Sequence, residues 1–264
     1  MQNNLLDIQE QTILAVEKAS LFIQKETGKI HQHHIETKAL NSLVTYVDKE
    51  AEKILVTELQ KIISNASFLT EENTVAQTQG EWQWIVDPLD GTTNFIHQVP
   101  VFGISVGLKY KDEIVVGVVY ELNRNELFYA SKNNGAFLNG DKITVSATAK
   151  LSDCLVATGF PYYDFDLLDN YLTFFKYLMT HTRGIRRLGS AAIDLCFTAC
   201  GRFDAFFEYS LSPWDVAAGA LILKEAGGHL YDFKGGNNWL YGRQILGSNP
   251  YISEEILKII KEKF

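Results

Sequence analysis

The stretch Asp87-Pro88-Leu89-Asp90-Gly91-Thr92-Thr93-Asn94-Phe95 indicates more about the fold than any other part of this chain of 264 residues. A run of strand-forming residues, Trp82 to Val86, leads directly into it. We expect the chain to turn at Pro88 and to bring Asp87 and Asp90 together at the carboxyl end of a strand. Two carboxylates placed in this way suit Mg²⁺, which prefers hard oxygen ligands. The glycine and two threonines that follow can turn their main-chain N–H groups toward an anion.

The alternative to a metal site is an ordinary surface turn, because Asp-Pro and Asp-Gly are common turn dipeptides. Acidic residues elsewhere favour the metal site. Glu71-Glu72 follows the apolar pair Phe68-Leu69, and Trp214-Asp215 opens a helical tract after Pro213, which we interpret as a helix stop. Carboxylates from separate segments are what a two-metal site requires, with ions about 3.5–4 Å apart. The pattern therefore predicts metal-assisted phosphoryl chemistry.

Three motifs resemble those of the inositol monophosphatase family of Mg²⁺-dependent, lithium-sensitive phosphatases. They are Glu71-Glu72-Asn73, Trp84 to Phe95 and Trp214 to Gly219, and a fourth, Leu43 to Asp48, precedes them. Their order and spacing match the family over roughly residues 5 to 260. The Thr-Asn-Phe ending of the second motif is more similar to the inositol phosphatase branch than to the bisphosphate nucleotidase branch. The resemblance implies an α/β (α+β) fold, a layered αβαβα sandwich with mixed and antiparallel sheets and the active site between its halves.

The resemblance also implies a set of metal ligands. Glu71, Asp87 and the backbone carbonyl of Leu89 match the ligands of the first Mg²⁺. Asp87, Asp90 and Asp215 match those of the second, so that Asp87 bridges the two ions. The expected cofactor is therefore Mg²⁺ as two ions, with a loosely held third considered as an addition.

The expected catalytic residues are Glu71, Thr92 and Asp48. Thr92 and Asp48 match the family's Thr–Asp pair that orients the attacking water, and Glu71 helps to hold that water. A separate interpretation of Asp48 is that of a helix-start residue favoured by the helix dipole, with Thr45 three residues before it. The two interpretations are compatible.

The residues that the resemblance implies in substrate binding are Asp90, Gly91, Thr92, Gly189, Ser190, Ala191, Glu208 and Asp215. Glu208 is expected to accept hydrogen bonds from ring hydroxyl groups, and its alternative is a solvated residue at a strand end. Trp214 is expected to pack beneath its neighbour in sequence rather than to contact the substrate.

Composition restricts the class of protein. The net charge is −8, and no basic run offsets it, so direct nucleic-acid binding is not expected. The charge is compatible with a phosphate substrate, because bound metal ions supply a local positive field. No apolar run approaches the length of a membrane span, and residues 1–4 lack the features of a secretion signal. We expect a cytoplasmic protein, with Cys154, Cys196 and Cys200 reduced.

The sequence contains no low-complexity linker and no internal repeat, so we predict one domain over residues 1–264, with halves of about 1–150 and 151–264. Helices are predicted over 4–27, 47–63, 165–181, 190–199, 215–226 and an amphipathic tail around 258–263. Strands are predicted over 82–86, 101–110, 113–121, 126–131, 155–158, 204–208 and 230–233, the second to fourth of these forming an antiparallel meander.

The polar stretch over residues 29–41 contains His31, His33 and His34, which suggest a zinc site. No Cys or acidic partner stands at structural-site spacing, so we instead predict a mobile loop that covers the site near the third Mg²⁺. Three positions depart from the family pattern: Ser42, Thr70 and the substrate-side segment Gly159-Phe160-Pro161. These departures bear on which alcohol the substrate contains, and they leave the expected catalytic residues unchanged.

The predicted function is Mg²⁺-dependent hydrolysis of a small sugar-alcohol phosphate, with myo-inositol monophosphate as the first choice. Other possible substrates are fructose 1,6-bisphosphate, histidinol phosphate and a 3′(2′),5′-bisphosphate nucleotide. An interaction protein in RNA transcription or processing is the alternative from a different class. The family resemblance further implies a homodimer.

Overall fold

The structure is a computed structural model that describes residues 2–31, 35–39, 42–162 and 164–264. The helices of the described residues are α1 Gln2–Glu26, α2 Tyr46–Ile62, α3 Thr92–Ile96, α4 Leu168–His181, α5 Ala191–Ala199, α6 Pro213–Glu225 and α7 Ser253–Lys263. None of these helices is both long enough and apolar enough to cross a membrane.

Three sheets are present in the described residues. A seven-stranded sheet has the order β3-β4-β5-β6-β7-β8-β9, with bounds Ser67–Thr70, Trp82–Asp90, Gly103–Tyr110, Glu113–Glu121, Glu126–Ser131, Ala136–Leu138 and Asp141–Ile143. A five-stranded sheet has the order β11-β10-β12-β14-β13, with bounds Gly184–Arg186, Leu155–Thr158, Ala205–Tyr209, Gln244–Ser248 and His229–Tyr231. The third sheet is a hairpin of β1 Ile35–Ala39 and β2 Ser42–Thr45.

The two large sheets and the helices form five layers. Helices α1 and α2 cover the outer face of the seven-stranded sheet, and α5 and α6 pack together against its inner face. The five-stranded sheet follows, and α4 and α7 contact its strands and each other. This arrangement confirms the predicted αβαβα sandwich with mixed and antiparallel sheets.

Strand β4 shows how the sequence specifies these layers. Trp84 and Val86 lie in the apolar cluster with α1 and α2, whereas Ile85 lies in the cluster with α5 and α6. Successive side chains of a strand point to opposite faces, so a strand covered on both sides buries the side chains of both faces and is mostly apolar. Residues Gln83–Leu89 of β4 are accordingly all buried.

The middle helical layer has apolar residues on all sides, because a sheet covers each of its faces. In α6, every residue from Val216 to Leu223 is buried. The helix comes so close to the seven-stranded sheet that a methyl group on Gly117 of β6 would lie 2.7 Å from the carbonyl oxygen of Ala218. The Ser105 hydroxyl, on the residue of β5 that pairs with Asp87, donates to the Trp214 carbonyl at 3.1 Å, which places the first turn of α6 beside the end of β4.

Most predicted elements are confirmed within a few residues, including the meander of β5, β6 and β7. Residues 29–41 differ from the prediction, because Ile35–Ala39 forms a strand that pairs with Ser42–Thr45. This short polar strand exists through its partner, which a local pattern does not show. His33 and His34 lie outside the described residues, and the proposed loop over the site stays a prediction.

Three further differences concern the bounds and the number of elements. Pro213 is the first residue of α6 rather than a helix stop, since proline is well tolerated at the first helical position. Strand β4 continues through Asp90 instead of ending at Val86. The short strands Gly184–Arg186 and Gln244–Ser248 were not predicted.

Candidate active site

A cavity of about 250 Å³ lies at the carboxyl end of β4, between the two large sheets. The predicted site residues that line it are Glu71, Asp87, Leu89, Asp90, Gly91, Thr92, Gly189, Ser190, Ala191, Glu208 and Asp215. Asp48 is the exception. It is buried behind the cavity wall and contacts the cavity through Thr92.

The segment from Asp87 to Asp90 contains a bulge that places both carboxylates in the cavity. Asp87 pairs with Ser105 of β5, and Asp90 pairs with Gly103. The chain therefore advances three residues along β4 while it advances two residues along β5, which is one additional residue on β4. In a regular strand, residues three apart point to opposite faces. The additional residue reverses this alternation, as bulges beside active sites do. The turn expected at Pro88 is therefore a bulge within a continuing strand.

Asp87 and Asp90 are held by main-chain N–H groups. Asp87 Oδ1 accepts from the Leu89 N–H at 2.9 Å. Asp90 Oδ2 accepts from the Ala192 N–H at 2.8 Å and from the Ser190 hydroxyl at 2.6 Å, both at the start of α5. These bonds fix the two carboxylates by contacts from both halves of the chain.

The carboxylates raise one another's pKa values in addition to the effect of burial. Burial raises the pKa of Asp87 well above its usual value, and the charges of Glu71, Asp90 and Asp215 add to this. Burial also raises the pKa of Asp90 to about 6, although its hydrogen bonds from Ser190 and Ala192 lower it. Because these buried carboxylates repel one another when they are charged, the binding of a cation among them is favoured.

Asp215 enters the cavity from the first turn of α6. It is the third helical residue after the cap Ser212, and its Oδ2 accepts from the Ser212 N–H at 2.7 Å, which completes a capping box. Burial raises the pKa of Asp215 well above its usual value, and the charges of Asp90 and Glu71 act in the same direction. The capping role fixes one oxygen of this side chain and leaves the other facing the cavity.

Glu71 follows β3, which runs parallel to β4. Its N–H donates to the Val86 carbonyl at 3.1 Å, so Glu71 leaves its strand beside Asp87. Parallel neighbours end at one edge of the sheet, which explains why two distant motifs meet here. The following loop is held by the fully buried Glu52 of α2, which accepts from the Glu72 N–H and from the Thr74 N–H, both at 2.7 Å.

Asp48 makes the two contacts that the two sequence interpretations require. Its Oδ2 accepts from the N–H and hydroxyl of Thr45 at 2.8 and 2.7 Å, and caps α2. Its Oδ1 accepts from the Thr92 hydroxyl at 2.8 Å. Burial raises the pKa of Asp48 against the hydrogen bonds that lower it. One carboxylate therefore stabilises a helix start and orients a hydroxyl at the cavity.

Gly91 connects the bulge to α3 in the left-handed conformation, with φ of 93°. A side chain there would be strained, and its Cβ would also lie 3.0 Å from the Val101 carbonyl oxygen. Only glycine allows the chain to turn directly from Asp90 into Thr92.

The opposite wall comes from the second half of the chain. Ser190 caps α5, and Gly189, Ala191 and Glu208 lie around it. Glu208 lies on β12 and is 8% exposed, so it is not a solvated strand-end residue. Burial raises its pKa well above the usual value. Gly159 makes room for it, since a Cβ there would lie 2.1 Å from the Glu208 carboxylate.

Sequence reasoning missed two charged residues of the cavity, Arg187 and Asp194. The Arg187 guanidinium donates to the Tyr162 hydroxyl at 2.5 Å and lies 5.4 Å from the centre of the Phe160 ring. Asp194 is the single charged residue of the otherwise apolar helix α5, a signal that could have identified it. Trp214 packs against the core as predicted, and it also lines the cavity.

The donor set fits a hard divalent cation, because carboxylates and a carbonyl oxygen are the ligands that Mg²⁺ takes. In the part of the chain that the structure describes, no group of three or more His, Cys, Asp and Glu side chains is arranged to hold an ion. Asp87, Asp90 and Asp215 each use one oxygen for main-chain hydrogen bonds. The composition of the site therefore suits the metal, and the ligation itself stays a prediction.

The chain matches the model of the inositol monophosphatase family over residues 4–263. It is 41% identical over 247 residues to a protein of Neisseria meningitidis named putative Nus factor SuhB, a match that covers 93% of this chain and 95% of that protein. It is 39% identical to the inositol-1-monophosphatase of Rhizobium meliloti, with 94% of both chains covered. The crystal structure of the extragenic suppressor protein SuhB from Bartonella henselae superposes with a TM-score of 0.92 at 36% identity, covering 98% of this chain and 100% of that one.

Proposed function

The chain belongs to the inositol monophosphatase family, and from this premise we propose that it is a Mg²⁺-dependent phosphatase that hydrolyses a small sugar-alcohol phosphate, myo-inositol monophosphate above all. The observation that carries the proposal is the convergence of Glu71, Asp87, Asp90 and Asp215 from three separate segments on one cavity. The relatives with phosphatase names support the same reaction class.

We assign Glu71, Asp87 and the Leu89 carbonyl to the first Mg²⁺, and Asp87, Asp90 and Asp215 to the second. When bound, such ions lower the pKa of water and neutralise charge on the phosphate. The main-chain hydrogen bonds to Asp87, Asp90 and Asp215 hold these side chains in place before an ion binds.

Thr92 orients the attacking water in this proposal. Its hydroxyl carries one proton and has two acceptors within reach, Asp48 Oδ1 at 2.8 Å and the Leu89 carbonyl at 3.0 Å. If the Leu89 carbonyl held an ion, it would be less available as an acceptor, and the Thr92 hydroxyl would donate its proton to Asp48. The lone pairs of Thr92 Oγ1 then accept a hydrogen bond from the water, and Glu71 holds the water from the other side. The main chain at Gly91 and Thr92 contacts the phosphate.

The alcohol part of the substrate occupies the wall formed by Gly189, Ser190, Ala191 and Glu208. Glu208 is a buried acceptor at this end of the cavity and is suited to bind hydroxyl groups. Asp90 and Asp215 lie between the two ends, and we expect them to contact both the ions and the substrate.

The proposal is tested by measuring phosphate release from a panel of esters over a series of divalent ions. We expect activity to require a divalent ion, with Mg²⁺ best, and Asp87→Asn to abolish turnover because it removes a ligand shared by both ions. Asp215→Asn should mainly weaken the second ion. Asp204→Asn, at a buried carboxylate outside the cavity, is the matched control and should retain the metal requirement. Full activity in chelator would refute the assignment.

Inhibition by millimolar Li⁺ and a homodimer are further expectations that rest on the family resemblance, and a cytoplasmic location is expected from the reduced cysteines. Light scattering coupled to gel filtration measures the mass in solution, and a mass near 60 kDa would correspond to two chains of 29.8 kDa. A mass near that of one chain at all concentrations would contradict the dimer.

A second candidate function follows from the relatives that are named Nus factor SuhB. We propose as the alternative that the chain acts as an interaction protein in RNA transcription or processing. The two functions separate in an Asp87→Asn variant. If the inactive variant retains a partner from cell extract in an RNA-dependent manner, the interaction function is favoured. If the variant loses turnover and also fails to restore growth to cells that lack the native protein, the phosphatase is favoured.

A further inference from the structure

Five of the six carboxylates that line the cavity, all except Glu71, fall into two groups by their hydrogen bonds. Asp87, Asp90 and Asp215 each accept a main-chain N–H at 2.7 to 2.9 Å. Asp194 and Glu208 accept no hydrogen bond from any residue that the structure describes, although they are only 1% and 8% exposed. The first group faces the proposed metal and phosphate end, and the second faces the alcohol end. The alcohol end is therefore rich in acceptors that lack donors.

Asp194 is the more unusual of the two. Its Oδ1 is shielded from solvent and has no hydrogen-bond partner among the residues that the structure describes. The main-chain groups of Asp194 are satisfied within the helix, with its N–H donating to the Ser190 carbonyl at 3.0 Å and its carbonyl accepting from the Thr198 hydroxyl at 2.8 Å. The main chain of Asp194 therefore contributes hydrogen bonds to the helix, whereas its carboxylate makes none with the residues that the structure describes. A buried carboxylate without a donor is destabilising, and such features persist where function requires them.

The charge at this end also restricts the ligand. Arg187 is the single cation among the described residues of the cavity lining. Its charge acts on Asp194, Glu208 and Asp90 together. At the alcohol end the carboxyl groups of Asp194 and Glu208 outnumber this one guanidinium, which disfavours a second phosphate and favours groups that donate hydrogen bonds.

We infer that Asp194 is a specificity-determining residue that, beside Glu208, accepts a hydrogen bond from a hydroxyl group of the alcohol. The substrate class is then the phosphate monoesters of polyhydroxylated alcohols, and a sugar bisphosphate is a poor substrate. This inference rests on the proposed function, because it concerns the alcohol end of the same cavity.

The test compares Asp194→Asn with the unaltered protein on myo-inositol 1-phosphate and on p-nitrophenyl phosphate, which carries no alcohol hydroxyl. Asparagine keeps the size and replaces one acceptor oxygen with a donor. We expect kcat/KM to fall roughly tenfold to a hundredfold more for the inositol ester than for the aryl ester, the range of a hydrogen bond to a charged group. Calorimetry with myo-inositol and inorganic phosphate as probes should show weaker inositol binding by a similar factor.

Thermal stability separates recognition from a structural role. Because the carboxylate has no donor in the fold, Asp194→Asn should melt at the same temperature as the unaltered protein or higher. The matched control is Asp204→Asn, whose carboxylate accepts from the Leu155 N–H at 2.7 Å and the Ser146 hydroxyl at 2.6 Å. It should melt lower and affect the two esters equally.

Three results would overturn the inference: equal losses on both esters, unchanged inositol binding, or a loss confined to an ester that carries an ammonium group, such as phosphoethanolamine. If the unaltered protein hydrolyses neither ester with Mg²⁺, the proposed function fails, and the calorimetric comparison still decides the role of Asp194. The two failures are thus distinguishable.

Discussion

At the scale of single residues, several side chains at this site serve the fold and the cavity at once. Asp48 and Asp215 each complete a capping box at the start of a helix with one oxygen. The other oxygen of Asp48 meets Thr92. A capping box fixes a carboxylate through main-chain N–H groups, which do not change with the side chains around them. The helix starts therefore provide rigid supports for reactive groups.

The Asp48–Thr92 pair is tested by a double-mutant cycle. Thr92→Ala should lower kcat about 10²–10⁴-fold with little change in KM, because the hydroxyl acts on the water. Asp48→Asn should cause a similar loss, and the double variant should lose little more, since the two residues act as a unit. Thr92→Ala should leave the melting temperature nearly unchanged, whereas Asp48→Asn should lower it through the cap of α2. If the two losses in kcat multiply, Asp48 acts only as a helix cap.

The pKa of about 6 for Asp90 predicts how the metal-free protein responds to pH. The value lies above the ordinary 3.8, so the fold favours the neutral form. The contribution of the neutral Asp90 side chain to the free energy of unfolding is therefore fully present below about pH 4, and it is lost as the pH rises through 6. Asp90→Asn removes the charge, and it should stabilise the protein at pH 7.5 by at most on the order of 3 kcal/mol, and by little at pH 4.

Thermal melting in chelator at the two pH values measures this difference. Added Mg²⁺ should reverse the order at pH 7.5, because the ion binds the charged form. An equal gain at both pH values would show that Asp90 is not the group that titrates.

The residues of the site were predictable to different degrees from the sequence. Asp87 and Asp90 were identified by their motif, but their common orientation depends on the bulge opposite Ser105 and Gly103, which involves another strand. Asp194 stands out as the one charged residue of α5, but it was missed because the sequence does not show that this position of the helix faces a cavity. Pairing and packing partners decide both cases.

At the scale of elements, the loop after β3 is held by a helix of a different layer. Glu52 of α2 accepts from Thr70, Glu72 and Thr74 at 2.7 to 2.9 Å and is fully buried. Its two oxygens meet only donors, so the loop that carries Glu71 has a single favoured position. The sequence showed Thr70 as a departure from the family, and the structure shows this threonine as one of the donors.

Glu52→Gln should therefore disturb Glu71 without touching the cavity. The new amide would place a donor against other donors, at a cost of about 1–3 kcal/mol in stability. We expect the Mg²⁺ concentration for half-maximal activity to rise roughly tenfold, with a smaller change in kcat, and calorimetry to show weaker Mg²⁺ binding. Glu121→Gln, at a fully buried carboxylate that accepts from the Arg124 N–H at 2.5 Å, is the control and should lose stability alone. Equal metal requirements in the two variants would contradict the role of Glu52.

At the scale of the whole molecule, the five layers follow from strands and helices that are apolar on one face or on both. The central position of β4, α5 and α6 could be expected from their nearly continuous apolar residues, and the family resemblance supplied the order of the layers. The strand Ile35–Ala39 could not be expected because its own residues are largely polar, and the late strand Gln244–Ser248 could not be expected because it is inserted beside β12, which lies well before it in the chain. The site lies where the layers meet, which explains why its residues extend from Asp48 to Asp215 in sequence.

The position of the middle layer also bears on how the protein is made. The seven-stranded sheet is complete when Ile143 has been synthesised, but the helices that cover its inner face begin at Ala191. At about 5–20 residues per second, the ribosome needs several seconds to cross this interval. During that time the inner face of the sheet, with Ile85, Val119 and Phe128, lacks the two helices that cover it in the folded protein. The nascent protein is therefore most exposed to aggregation, and most dependent on chaperones, in the middle of its synthesis.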